Sequence, residues 1–138
     1  MEALKEFFQT HDLLARHLGI ELLEISPGGA VCRMEIKDIH LNGVRTVHGG
    51  ALFSLADFTF AAACNSHGNI AVAVQASISF IKGVGEGVVL IATANEIHAE
   101  KALGNYEVRV STEEGDLVAL FHGMAYRRKE SLLETFGE

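Results

Sequence analysis

Tryptophan is absent from this 138-residue sequence, proline occurs once and cysteine twice. The lone Pro27 leaves no proline-rich linker, and no low-complexity or repeated segment takes its place. Cys32 and Cys64 stand far apart, with no C-x₂₋₄-C spacing, so neither a disulfide framework nor a cysteine zinc site is expected. Cations are scarce: 11 Lys and Arg against 18 Asp and Glu give a net charge of −7, which argues against a nucleic-acid partner. Long apolar runs are missing too. The longest, Ala51–Cys64, is broken by Ser54, Asp57 and Thr59 and falls short of the roughly 20 residues that span a bilayer. Met1–Phe8 has two acids, one lysine and no apolar leader core, so no secretory signal is expected. These absences predict a cytoplasmic protein with free buried thiols and no membrane partner.

Catalytic signatures are thin as well. None of the seven histidines (His11, His17, His40, His48, His67, His98, His122) forms His-Glu-x-x-His, and there is no P-loop or Gly-x-Gly-x-x-Gly. No metal and no cofactor are expected. Cys64 has no cation at i±3 or i±4 to lower its pKa, which argues against a cysteine nucleophile.

What is present is apolar. The set AVILMFWYC makes up 49%, with 14 glycines besides, whereas about 45–50% is usual with glycine already included. The length suits one domain, residues 1–138, and the surplus predicts burial beyond its own core, in an oligomer. Helical spacing runs over Glu2–His17, with Gly19 as a stop. Ile20–Ile25 and Ala30–Ile36 flank Ser26-Pro27-Gly28-Gly29 as a hairpin. Lys37–Val47 reads as a polar loop. Gly49–Asn65 reads as a helix, apolar on nearly every side and therefore buried all round. Ile70–Ile81, Val88–His98, Leu103–Thr112 and Leu117–Arg128 read as strands, the first placing Ile70, Val72, Val74, Ala76, Ile78 and Phe80 on one face. The pattern predicts an α+β fold in which an antiparallel sheet wraps a long helix.

Asp57 is the unusual residue. It sits mid-helix among apolar neighbours with no cation at i±3 or i±4, so it is either bonded to backbone or a distant group, or it is a carboxylate lining a cleft. His48-Gly49-Gly50 opens the same helix, where unsatisfied N–H groups and the positive end of the dipole suit an oxyanion. Asn42 is either a turn residue beside Gly43 or an amide that positions a water or a carbonyl.

Asn42, the run His48-Gly49-Gly50-Ala51-Leu52-Phe53-Ser54-Leu55-Ala56-Asp57, and Ala61-Ala62-Ala63-Cys64-Asn65-Ser66 together resemble the hotdog-fold acyl-CoA thioesterases of the PaaI-like, phenylacetate-pathway branch. The resemblance spans Leu13 to about Arg127. It implies a hotdog fold and hydrolysis of an acyl-CoA, aryl-acyl or medium-chain, to free acid and CoA. It makes Asp57 the general base or nucleophile, Gly49 and Gly50 the backbone groups that polarise the thioester carbonyl, and Asn42 the side chain that orients water or thioester. It places His48 near the thioester and an auxiliary hydroxyl on the next strand, at Ser77 with Ser79 and Gln75 as alternatives. Where the branch reads Phe-Leu-Arg-Pro-Gly, this chain has Phe80-Ile81-Lys82-Gly83-Val84, so Lys82 would meet a CoA phosphate while the proline is missing. Arg127-Arg128 is either a solvated pair or a further phosphate contact. A non-catalytic acyl-CoA-binding sensor or scaffold is the alternative on the same fold, and a hydratase is disfavoured because its His-centred helix motif is absent.

Spacing adds one constraint. Gly49 and Asp57 are eight residues apart, about 12 Å along a helix axis, too far for both to reach one thioester carbon. Two antiparallel copies of the helix can supply Gly49 from one chain and Asp57 from the other. The expected assembly is at least a homodimer, extending to a homotetramer as a dimer of dimers.

Overall fold

The computed structural model of the protein describes residues 1–137. Helices α1 (Glu2–His11) and α2 (Leu13–Leu18) lead into strands β1 (Glu21–Ser26) and β2 (Gly29–Glu35). The long helix α3 (Gly49–Cys64) follows, then β3 (Asn69–Phe80), β4 (Val89–Glu100), β5 (Leu103–Thr112), β6 (Leu117–Ser131) and a short α4 (Leu132–Phe136). The six strands form one antiparallel sheet in the order β1-β2-β4-β5-β6-β3, and α3 packs against all six.

The expected helix Glu2–His17 is in fact two helices. Asp12 interrupts it with extended backbone (ψ 98°), because its side chain caps α2 by accepting the Ala15 N–H at 3.0 Å. An aspartate at an N-cap satisfies a donor that would otherwise go unpaired, which outweighs continuing the helix through it. Gly19 ends α2 in the left-handed region (φ 76°), as a glycine stop should. The loop 37–47 carries a short 3₁₀ turn, Asp38–His40, and a bridge between Leu41 and Val47. The last strand runs past Arg128 to Ser131, whose hydroxyl caps α4.

Helix α3 is buried on most of its circumference but not all of it. Leu52, Leu55, Ala56, Phe60, Ala62 and Ala63 are covered by the sheet, while Gly50, Phe53, Ser54, Asp57 and Ala61 remain partly open. Those five positions follow i, i+3, i+4, i+7 spacing and form one stripe. A single sheet covers a helix from one side only, and the small α1 and α2 do not complete the wrap. On the covered side packing is tight. A Cβ on Gly123 would come within 2.7 Å of the Phe60 ring, so glycine there is what lets α3 approach β6.

Only part of the face predicted for β3 joins the core: Ile70 is buried and Ala76 and Ile78 pack against it. Irregularities between Asn69 and Ala71 and between Ala73 and Gln75 break the alternation. Ile70 and Ala71 are both buried, whereas Val72, Val74 and Phe80 are exposed (46, 54 and 58%). β3 is an edge strand paired only to β6, so its other edge is free. Cys32 and Cys64 are buried and unbridged, and burial pushes both thiols up to about 12. No helix among the described residues is long and apolar enough to cross a membrane.

Candidate active site

The loop before α3 is built on Asn42. Its Oδ1 accepts the N–H groups of Val44 (3.0 Å) and Thr46 (3.1 Å), and its Nδ2 donates to Thr46 Oγ1 (2.9 Å). A primary amide carries two hydrogens on nitrogen, so one remains uncommitted. Asn42 is thus a turn residue whose side chain nevertheless lines a cleft of about 300 Å³ with Thr46, Gly49, Phe80, Lys82 and Gly83.

Buried His40 anchors the same loop. Its Nδ1 accepts the Lys37 N–H (2.9 Å), which leaves Nε2 to donate to Leu18 O (2.8 Å). The His40 carbonyl in turn accepts the His48 N–H at 2.7 Å. His48 is the N-cap of α3, its Nδ1 accepting the Gly50 N–H at 2.8 Å. Gly50 is therefore spoken for by its own chain. The Gly49 N–H has no partner among the described residues, and a Cβ on Gly49 would meet the Phe80 ring at 3.1 Å. It is a free donor at the positive end of a 16-residue helix.

Asp57 lies two turns further along, in a second cleft of about 320 Å³ lined by Asp12, Leu14, Phe53, Ser54 and Phe58 among others. It makes no hydrogen bond and no ion pair among the described residues. Burial, and secondarily the charge of Asp12, raise its carboxyl above the usual aspartate range. The structure thus brings Asn42, Gly49 and Lys82 together in one cleft and sets Asp57 in another.

Ser77 is in neither. It shares a hollow with Ser79, Glu107, Leu120 and His122, and His122 Nε2 meets Asn105 Oδ1 at 3.2 Å. Lys82 pairs with Asp116 at 3.1 Å in an exposed bridge. Arg127 approaches Glu96 at 4.0 Å, and Glu96 also accepts Tyr106 OH (2.6 Å) and meets His67 Nε2 (2.9 Å). Arg128 pairs with Glu130 (3.0 Å).

Asp12, His40 and Arg45 were not singled out from sequence. Arg45, next to Thr46, holds a left-handed backbone (φ 65°) and is loosely paired with Glu86 at 3.8 Å. Only the helix-breaking tendency of an aspartate before Leu13 could have flagged Asp12. No group of three or more His, Cys, Asp or Glu able to hold a metal occurs among the described residues.

The chain is similar in sequence and fold to known proteins. The family model described as "Thioesterase superfamily" matches residues 45–119. The acyl-coenzyme A thioesterase PaaI of Escherichia coli is 41% identical over 117 residues, covering 85% of this chain and 84% of that protein. The structure of the E. coli PaaI protein from the phenylacetic acid degradation operon superposes with a TM-score of 0.88 at 38% identity, over 91% of both chains. A mutant structure of the phenylacetic acid degradation protein PaaI from Thermus thermophilus gives 0.82 at 38% identity, over 85% of this chain and all of that one.

Proposed function

The chain belongs to the thioesterase superfamily and has its hotdog fold, and from that premise we propose that it hydrolyses acyl-CoA thioesters to a free acid and CoA. The 41%-identical acyl-coenzyme A thioesterase PaaI supports the substrate class. One observation carries the mechanism: Asp57 is an unpaired carboxylate on the open stripe of an otherwise buried helix. Structural acids in such places find partners, because an unpartnered charge out of water is costly.

Each site is shared by two chains. Within one chain the Gly49 donor and Asp57 open into different clefts, about 12 Å apart along α3. The free edge of β3, with Val72, Val74 and Phe80 exposed, is the surface a second copy would cover. A dimer of dimers completes the proposed assembly.

In such a site the thioester oxygen accepts the Gly49 N–H, and the spare Asn42 amide hydrogen orients water or thioester. Asp57 of the other chain takes a proton from water while the hydroxide oxygen bonds to the acyl carbon. The tetrahedral intermediate collapses, the carbon–sulfur bond breaks, and sulfur leaves with the electron pair. Direct attack by Asp57 would instead form a mixed anhydride that water then opens. Phe53, Phe58 and Leu14 beside Asp57 suit an aryl-acyl or medium-chain group. Lys82 at the Gly49 cleft suits a CoA phosphate, with Asp116 as its resting counterion.

The decisive experiment is free-thiol release across a panel of aryl-acetyl, benzoyl and aliphatic acyl-CoAs. Thiol release that Asp57→Asn abolishes is expected. Tight acyl-CoA binding with no release from any member would make the protein a binder and overturn the hydrolytic reading.

A further inference from the structure

Asp57 is not the only carboxylate in its cleft. Asp12 lines the same wall, with Leu14, Ala15, Ile20 and Phe58 around the two acids. The residues come from different elements, one at the break between α1 and α2, the other in the third turn of α3.

Asp12 is held firmly. Its Oδ1 accepts the Ala15 N–H at 3.0 Å and its own N–H donates to Phe8 O at 3.4 Å. Oδ2 has no partner among the described residues. The neighbouring ionisable groups do not offset the charge. On α1, His11 turns its Nδ1 to Phe7 O (3.1 Å). On α2, Arg16 reaches Thr10 O (3.4 Å), and both it and His17 are exposed. Cys64 on α3 has its thiol pushed up by burial and by Asp57 itself. No cation lies within ion-pair distance of either acid among the described residues.

We propose that Asp12 is a positioning residue for the reaction, holding a fixed negative charge in the cleft so that Asp57 is a stronger proton acceptor. The proposal rests on the reading of Asp57 as the group that takes the proton from water. Burial comes first among the causes that raise the Asp57 carboxyl, and the Asp12 charge is the second. A stronger base pulls harder on the water proton, and in exchange the acid limb of the rate profile sits at higher pH. The cap does double duty: the hydrogen bond that starts α2 also fixes where the charge lies.

Asp12→Asn and Asp12→Ser separate the two duties. Each keeps an oxygen that can cap α2, and each removes the charge. The Asp57 carboxyl can be titrated directly in the full-length protein by carbon-13 NMR, its resonance assigned by its loss in Asp57→Asn. In both variants the midpoint should fall, by about half a pH unit or more for a like charge removed from a partly buried site. The acid limb of kcat/KM should move down with it, and the plateau should drop about two- to threefold. A midpoint that stays or rises in both variants overturns the role of Asp12 whatever the activity. A wild-type protein that releases no thiol overturns the reading of Asp57 on which the proposal rests, a failure distinct from an unmoved titration.

Discussion

His48 Nδ1 accepts the N–H of Gly50 at 2.8 Å, and this one bond decides which glycine is left to a ligand. Two glycines open α3, and only Gly49 keeps its N–H free among the described residues. The histidine thus acts on the helix end first.

That assigns His48 a measurable task. His48→Ala removes the cap and should cost about 1 kcal/mol, lowering Tm by about 3 °C. His48→Asn keeps an oxygen for the Gly50 N–H and should recover most of the lost Tm and kcat. An asparagine variant as impaired in kcat as the alanine one would show that the ring acts on the substrate itself.

Asp57→Asn should lower kcat by about 10²–10⁴, the usual range for losing a positioned base. Stability should move the other way. The folded protein holds the Asp57 proton more tightly than the unfolded chain, so its carboxylate opposes folding above the raised value. The penalty fades as pH falls towards 3.8, the ordinary aspartate value. The asparagine variant should melt higher than wild type at neutral pH, and the gap should close in acid. Thermal melts across pH 3.5–7.5 read this directly, and a destabilised variant at neutral pH would mean that Asp57 has a partner.

Lys82 and Asp116 form an exposed pair at 3.1 Å. Lys82→Ala should raise KM for an acyl-CoA and leave hydrolysis of the matching acyl-pantetheine unchanged. Asp116→Asn releases the lysine and should lower KM for the CoA substrate alone. Equal effects on both substrates would remove phosphate binding as the role of Lys82.

A shared site can be tested by mixing two dead variants. Asp57→Ala removes the base, and Gly49→Leu drives a side chain into the Phe80 ring, which even a Cβ would meet at 3.1 Å. Statistical refolding of equal amounts makes half the dimers mixed, and each mixed dimer has one intact site. Activity should return to about a quarter of wild type. With both variants folded and exchange verified, no recovery would mean that each chain builds its own site.

Much of this was legible in the sequence, for identifiable reasons. Helix α3 declared itself because an apolar run with one acid cannot be a surface helix. Strand β5 alternates cleanly against the core along its length and β4 does so as far as Ala94, so their bounds fall close to expectation. Three things were not legible. Asp12 reads as one polar residue inside a helical pattern, and only its bond to Ala15 shows that it ends one helix and starts another. β3 has the right residues for a core strand, but its neighbours are set by a sheet order that local periodicity does not encode. Ser77 was placed by analogy on that strand, and the irregularity at Ala73/Gln75 changes which residues share a face. The Asn42 amide could be a turn or a site residue from sequence; the geometry makes it a turn residue that also lines the cleft beside Gly49.

The sheet order bears on how the molecule comes together in time. β4, β5 and β6 form a meander from neighbouring segments, while β2 must find β4 across the whole of α3 and β3. β3 then attaches at the far edge, against β6, with β4 and β5 between the two in the chain. Distant pairings of this kind come late in folding, since their loop entropy is recovered only once the local units exist. The strand expected to dock last leaves one of the sheet's two outer edges unpaired, so in the proposed dimer completing the monomer and meeting a second copy would become one kinetic event. Refolding followed at several protein concentrations should show a final phase that quickens with concentration. A final phase independent of concentration would place the closing of the sheet before the encounter.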